Sequence, residues 1–423
     1  MSLHGQPPVQ DQTAFDVLIV GAGHAGVQIA ATLATNYEGT VGLVSAELYE
    51  PYEKPPLTKG FLNGEVSESE LLLRPSTFWR ESGVRLILGQ QVSELDPEAH
   101  VVATAQGHRI SYGRLVWAAG ANPLQIDLPG INLPGVHELR TLEDTVQFRE
   151  EVTFRTKVVV IGGGYVGLEA ASACVKIGAE VTIVEARSRL LSRVTGPDVS
   201  GHLLQRHLEG GAAVELDASV SEIGEVDGRA GSVLLNDGRV LDADVVLVSV
   251  GIRPNVEVLA AAGARCSNGV EIDLQGRTSL PDVYAAGDCT CFPIGDGELL
   301  RLESLQNAVE QGEIVARSIM GETATYSVVP YFWSNQYDVK IKTIGLFNGY
   351  DDAIVRIGGE ADAFSVVYLR NGRVCAVDSI NSMRDYVDAR KVLGSRVSAD
   401  VVRDPAVRLR DAIIVEHVSD TSA

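Results

Sequence analysis

Phe15-Asp-Val-Leu-Ile-Val-Gly-Ala-Gly-His-Ala-Gly-Val-Gln-Ile-Ala-Ala-Thr-Leu33 is the stretch whose reading decides the fold. Its apolar run Val17-Leu18-Ile19-Val20 is too short and too β-branched for a globular helix and reads as a buried parallel strand. Three glycines follow as Gly21-x-Gly23-x-x-Gly26, and an Ala-rich amphipathic stretch then reads as a helix. Gly21 makes the tight turn, Gly23 lets a pyrophosphate approach the backbone, and Gly26 lets helix and strand pack closely. The helix start presents free N–H groups and its positive dipole end to the phosphates. Between a strand and a helix, this spacing marks a dinucleotide site.

The same unit occurs a second time. Lys157-Val158-Val159-Val160-Ile161 is followed by Gly162-x-Gly164-x-x-Gly167 and a helix expected from Leu168. After each unit a second strand ends in a carboxylate. Val41-Gly42-Leu43-Val44 runs into Glu47, 24 residues beyond Gly23, and Val181-Thr182-Ile183-Val184 into Glu185, 21 residues beyond Gly164. An acidic residue about 20 positions on accepts from ribose hydroxyls. At Glu185 it also repels a 2′-phosphate, so NADH is preferred over NADPH, although Arg187 and Arg189 lie close by. The plainer reading of either residue is a solvated strand-end carboxylate.

The remaining features fit around this duplication. Pro51-Tyr52-Glu53-Lys54-Pro55-Pro56-Leu57-Thr58-Lys59 cannot lie inside a helix or central strand and reads as a rigid loop on the ligand side of the first sheet. Arg114 to Gly120 is a strand running into a small-residue turn, and Asn122 to Pro134 is a Pro-rich linker. Asp244 to Gly251 closes the second unit. Val283-Tyr284-Ala285-Ala286-Gly287-Asp288 is a strand ending where Asp288 can accept from a ribityl or ribose hydroxyl, with a helix cap as the alternative. From Tyr331 alternating strands with a turn at Asn371-Gly372 predict an antiparallel sheet followed by helices.

With 423 residues the chain exceeds a single core. Lys and Arg number 35 against 56 Asp and Glu, a net charge of −21, which opposes sequence-independent nucleic-acid binding. No run approaches the ~18 apolar residues of a membrane span, no signal peptide is visible, and residues 1–14 read as a disordered arm. The partly amphipathic stretch Val401 to Val418 carries Asp and Glu, so docking on the protein is expected over membrane anchoring. Five scattered cysteines and eight histidines form no metal array, and a reducing, cytoplasmic setting is expected. His24 reads as a tolerated turn residue. Cys289-Thr290-Cys291 has the wrong spacing for a redox pair and reads as two inert thiols.

Four motifs carry a resemblance that spans essentially the whole chain: Pro55-Pro56-Leu57-Thr58-Lys59, Leu139-Arg140-Thr141-Leu142-Glu143-Asp144, Gly162 to Glu169, and Arg301 to Ala308. Phe332-Trp333-Ser334-Asn335-Gln336-Tyr337 opens the C-terminal region. With these, the chain resembles the FAD-dependent NADH:ferredoxin reductases of oxygenase electron-transfer chains. These form the putidaredoxin reductase-like group of the pyridine nucleotide-disulfide oxidoreductase superfamily, which lacks the redox disulfide. The resemblance implies an α/β protein with two Rossmann-like, glutathione reductase-like domains and a C-terminal α+β domain. The expected division is an FAD domain over 15–125 and 253–329, an NAD domain over 126–252, and a C-terminal domain over 330–423.

It further implies FAD on the first glycine unit, with Gly21, Gly23, Ala25, Gly26, Glu47, Lys59, Val92, Arg140, Asp288, Glu303, Leu305 and Trp333 as contacts. NADH is implied on Gly162, Gly164, Tyr165, Val166, Gly167, Glu185 and Gly251. Lys59 and Glu169 match a catalytic pair beside the flavin ring, whose plainer reading is a structural ion pair. Three positions depart from the family pattern: Ala46 for Asp, Ala119 for Thr and Asn335 for Asp. The implied partner is a two-iron two-sulfur ferredoxin, putidaredoxin-type in preference to Rieske-type, with the reductase a monomer or weak homodimer. Arg301, Lys340 and Lys342 are candidate docking cations. Two further readings remain: a quinone-type respiratory reductase, which the proline loop and the Phe-Trp-Ser segment disfavour, and a non-enzymatic NADH-sensing flavoprotein of the apoptosis-inducing-factor type.

Overall fold

Strand Ala14–Val20 pairs in parallel with Val41–Val44 on one side and Arg109–Trp117 on the other, with Val17 opposite Val41 and Leu18 opposite Leu115. Arg85–Ile87 extends the sheet beyond Val41–Val44, and Val283–Ala285 adds in parallel to the end of Arg109–Trp117. The other end of that long strand continues antiparallel through Val101–Thr104 to Val92–Asp96. Val17, Ile19, Leu43 and Val116 are fully buried, which is why these strands are β-branched and apolar on both faces.

This computed structural model describes residues 13–294, 297–327, 329–359 and 362–414. Residues 1–12 of the expected disordered arm lie outside that range. Thr13 and Ala14 do not belong to an arm: the Ser111 amide donates to the Thr13 carbonyl at 2.7 Å, and Ala14 pairs with Ser111.

Contacts divide the chain into two compact units: Met1–Leu124 with Arg140–Leu142 and Gly251–Val328, and Gln125–Leu139 with Glu143–Val250 and Val329–Ala423. In the first, helix His24–Asn36 packs along Leu305–Ile319. Gln28 and Thr32 on one helix donate to Glu313 on the other at 3.1 and 2.7 Å. Gly312 brings the two together, since a β-carbon there would approach the Ala25 carbonyl oxygen to 2.9 Å.

The second unit repeats the plan. Strands Ala213–Glu215, Glu180–Val184, Lys157–Ile161, Val245–Val248 and Val136–His137 form a parallel sheet in that order. Its glycine-led helix is Tyr165–Ile177, three residues earlier than the expected start at Leu168. Gly164 takes the N-cap position, so Gly167 lies inside the first turn, where its missing β-carbon matters for packing. Gly178 ends the helix at φ 97°, its amide bonded to the Cys174 and Val175 carbonyls.

The C-terminal segment shares this unit. Its sheet runs Tyr331–Gln336, Val339–Gly345, Arg373–Ile380, Phe364–Arg370 and Asp352–Ile357, all antiparallel, with the hairpin turn at Asn371-Gly372 as expected. Helix Met383–Val392 covers one face. The stretch from Val401 forms no long amphipathic helix. It is split between Ala399–Arg403 and a short 3-10 turn at Leu409–Ala412, both docked through buried Val402 and Leu409, and its residues 415–418 lie outside the described range. Arg356, 1% exposed, fastens this end by donating to Asp385 at 3.1 Å and to the Val402 and Asp404 carbonyls at 2.8 and 2.6 Å.

Candidate functional site

The two glycine turns share their geometry. Gly21 and Gly162 sit at φ 109° and 113°, the left-handed region where a side chain is strained. A β-carbon on Gly21 would overlap the Ala118 carbonyl oxygen, and one on Gly162 the Ser249 carbonyl oxygen. A β-carbon on Gly26 or Gly167 would overlap the carbonyl oxygen of Gly21 or Gly162. Gly23 and Gly164 differ: nothing lies within 4 Å of the place their β-carbons would take. Both also cap their helices without any side-chain hydrogen bond. Packing therefore requires two glycines of each triplet, and the third leaves room for a ligand against the backbone. That arrangement suits a pyrophosphate at each turn.

Around the first turn the structure gathers residues distant in sequence. Ala25 is buried beside Gly287, whose β-carbon would come 3.2 Å from that of Ala25, so the Asp288 turn closes on the glycine helix. The Gly287 amide and Thr290 hydroxyl both donate to buried Gln311, at 2.8 and 2.9 Å, which holds the turn. Burial raises the Asp288 carboxyl to about 6 against the lowering effect of Arg140, with Glu303 raising it further and Arg301 opposing. Arg140 belongs to this first unit, and its Nη2 lies 3.0 Å from where a Gly120 β-carbon would be. His24 is the first helical residue and not part of the turn. Burial, with Lys54 and Arg140 adding, pulls it down to about 4.

Glu47 stands at the strand end as expected. Its carboxylate accepts from Lys54 at 2.6 Å and from the Tyr52 hydroxyl, which in turn accepts from the Leu142 amide at 2.8 Å. Sequence reasoning did not single out Tyr52 and Lys54. Their alternation within the proline-bounded loop was the available signal. Lys59 follows the 3-10 turn Pro55–Thr58 and donates to the Pro55 carbonyl at 3.0 Å and the Thr58 hydroxyl at 3.3 Å. Val92, 7% exposed, begins its strand next to Gln90, whose amide donates to the Ser45 carbonyl at 2.8 Å, so it too lies near the Glu47 strand end. Leu305 opens its helix behind the Ser304 cap and is partly exposed. Glu303 pairs with Arg301 at 2.5 Å, and only 12% of the Arg301 side chain is exposed, which removes Arg301 from the docking cations. Lys342 sits 4.4 Å over the Tyr386 ring.

In the second unit Glu185 is held by the backbone. Its carboxylate accepts from the Gly163 amide at 2.7 Å and the Arg187 amide at 2.8 Å. Arg189 is committed to the Thr195 carbonyl, the Ser200 hydroxyl and the Ser192 carbonyl at 2.6, 2.8 and 2.9 Å, so it does not offset Glu185. Tyr165 and Val166 occupy the first helical turn, Val166 being 39% exposed. Gly251 follows the last parallel strand at φ 128° and begins a segment of the first unit, its carbonyl accepting from the Leu124 amide at 2.9 Å. Glu169 is 4% exposed on the same helix and accepts from the Ser334 hydroxyl at 2.6 Å. Trp333, paired with Lys342, is in this second unit.

All five cysteines are free, and burial pushes both the Cys174 and Cys289 thiols up to about 12. No thiolate is available there for a disulfide relay. Among the described residues no group of three or more His, Cys, Asp or Glu could hold a metal ion, and no helix is long and apolar enough to cross a membrane.

Residues 15–312 match the family described as pyridine nucleotide-disulphide oxidoreductase, and residues 331–413 match the one described as reductase C-terminal. The ferredoxin–NAD(P)(+) reductase fdr of a Sphingomonas species is 42% identical over 94% of this chain and 98% of its own. A rubredoxin–NAD(+) reductase of Pseudomonas putida is 36% identical over 86% and 95%. The reductase in the covalent putidaredoxin reductase–putidaredoxin complex superposes with a TM-score of 0.90, at 33% identity over 94% of this chain and 97% of that one.

Proposed function

The chain belongs to the pyridine nucleotide-disulphide oxidoreductase family, and from that premise we propose that it is an NADH-dependent, FAD-containing reductase of a two-iron two-sulfur ferredoxin. The observation that carries this reading is the doubled cradle, with open backbone at Gly23 and at Gly164 and a strand-end carboxylate beside each. When bound, the two nucleotides supply a hydride donor and an acceptor that can pass electrons on singly. The protein then has to bind, orient and stabilise.

In this reading Gly21, Gly23, Ala25 and Gly26 seat the FAD pyrophosphate, Glu47 takes the adenosine ribose, and Asp288 accepts from the ribityl chain. Arg140, Val92, Glu303 and Leu305 are further FAD contacts of this reading, and Trp333 of the second unit is proposed as another. Gly162, Gly164, Tyr165, Val166, Gly167 and Gly251 seat the nicotinamide nucleotide, and Glu185 selects NADH by taking its ribose hydroxyls and repelling a 2′-phosphate. Lys59 and Glu169 are the catalytic residues of this reading, and the Lys59 ammonium would stabilise negative charge on the reduced ring. Lys59→Met is then expected to slow flavin reduction by NADH by about tenfold or more. Wild-type rate and potential in stopped-flow and spectroelectrochemical measurements would make the pair structural.

The favoured electron acceptor is a putidaredoxin-type ferredoxin that feeds a haem-thiolate monooxygenase, with a Rieske-type dioxygenase chain next, in a reducing, cytoplasmic setting. The identity with a rubredoxin reductase supports a second acceptor class. Mixing the NADH-reduced protein separately with a two-iron two-sulfur ferredoxin, a rubredoxin and a quinone tests the assignment. Fast one-electron reduction of the ferredoxin is expected. Preferential turnover of rubredoxin or quinone replaces it, and a long-lived reduced complex that none of the three oxidises points to a sensor.

A further inference from the structure

A buried polar chain leads away from Glu169 on the C-terminal side of its own unit. The Ser334 hydroxyl meets Glu169 Oε1 at 2.6 Å, and Gln336 Nε2 meets Ser334 Oγ at 3.1 Å. His207 Nε2 lies 3.0 Å from Gln336 Oε1, and the Tyr337 hydroxyl 3.3 Å from His207 Nδ1. Ser334, Gln336 and His207 are each no more than 1% exposed.

The direction of every bond in this chain is determined. A carboxylate only accepts, so the Ser334 hydroxyl donates to Glu169 and its oxygen accepts from the Gln336 amide nitrogen. That orientation turns the amide oxygen of Gln336 toward His207, whose Nε2 must carry the proton. Nδ1 is then the acceptor for Tyr337. A neutral ring is needed for this, and burial holds His207 down at about 4, well below neutrality. All four donors point toward Glu169.

We infer that Ser334, backed by Gln336 and His207, is a positioning residue that fixes the Glu169 carboxylate for its work at the flavin. The inference rests on the catalytic role proposed above for Glu169. The fold explains how the chain is assembled. Ser334 and Gln336 are two apart on strand Tyr331–Gln336 and so share a face. His207 comes from helix Pro197–Glu209, and Tyr337 packs so closely on Gly210 that a β-carbon there would approach its ring to 2.7 Å. Glu169 sits on a helix that can present its carboxylate in several rotamers. One short charge-assisted bond to a side chain fixed on a sheet favours one of them.

A double-mutant cycle on the FAD-loaded protein tests this, read by the rate of flavin reduction by NADH and the flavin midpoint potential. Ser334→Ala should slow reduction about tenfold and shift the potential, the loss expected for one bond to a charged group. Ser334→Thr keeps the hydroxyl and should recover most of both. Gln336→Glu keeps the shape of the side chain but draws the Ser334 hydroxyl away from Glu169, so it should reproduce the alanine phenotype. In a Glu169→Gln background Ser334→Ala should change either readout by no more than about twofold. Equal losses from Ser334→Ala in both backgrounds would overturn the inference and leave the role of Glu169 standing. No effect from Glu169→Gln alone would remove that role and the inference with it.

Discussion

The two nucleotide-binding halves share a backbone and differ in how each holds its strand-end carboxylate. In the first, side chains hold it: Tyr52 and Lys54 from the proline loop reach back to Glu47. In the second, backbone amides of Gly163 and Arg187 hold Glu185. The residue between the first two glycines separates them. It is Ala22 in the first triplet and Gly163 in the second, where a β-carbon would lie 2.9 Å from Glu185 Oε2 and 2.7 Å from Leu190. A carboxylate seated on the glycine loop itself keeps a fixed charge at the ribose position, which suits discrimination between nucleotides. A carboxylate neutralised by a lysine suits retention of one cofactor. The first half alone also receives a late strand, Val283–Ala285, which delivers Asp288.

The largest effects should come from the packing glycines. Gly26→Ala should give protein without flavin, read by its visible absorbance. Gly167→Ala should keep the flavin and raise the KM for NADH by about tenfold or more. Flavin loss in the second variant with retention in the first would reverse the assignment of cofactors to halves.

Asp288 comes next. Its carboxyl is raised from 3.8 to about 6 by burial, so between those values the folded apoprotein holds a proton that the unfolded chain releases. Stability therefore falls as pH rises through that window, by about 3 kcal/mol, and Asp288→Asn should flatten the fall in apoprotein Tm. An unchanged slope would place the titrating group elsewhere.

Glu185→Ala should reduce the preference for NADH over NADPH by about tenfold or more, measured as the ratio of kcat/KM values. Unchanged selectivity would show that Glu185 is not the ribose ligand. Gly163→Ala should produce a weaker form of the same loss, a few-fold, through displacement of Glu185, whereas Ala22→Gly should leave nucleotide selectivity as it is. Tyr52→Phe is the mildest: loss of one hydrogen bond to Glu47 should weaken FAD binding by about threefold to tenfold, with Glu185-dependent selectivity unaffected.

Much of the fold was legible because its signals are local. A four-residue β-branched run, a glycine triplet and an Ala-rich helix encode one strand–turn–helix unit within about 20 residues, and its repetition at Gly162 exposed the duplication. The third glycine of the second triplet looks like a turn residue, which sets the expected helix start at Leu168, whereas Gly167 packs inside the first turn of a helix that starts three residues earlier. His24 was misread for the same reason. Ser334 and Gln336 showed a readable two-residue alternation, but nothing near them in the chain pointed to His207.

The sequence alone determined that two dinucleotide cradles exist and where each begins, because glycine spacing is dictated by close backbone contacts within one short segment. It also supplied the strand-end acids Glu47 and Glu185 by their distance from those glycines. Only the tertiary structure decided which partners hold these acids, that the Asp288 turn closes on Ala25, and that a chain from Tyr337 through His207, Gln336 and Ser334 ends on Glu169. Contacts of this kind join residues far apart in the chain, 285 positions in the case of Gln28 and Glu313. Hydrogen-bond direction and burial between such partners are properties of the packed interior, and they come into being only when the chain has folded.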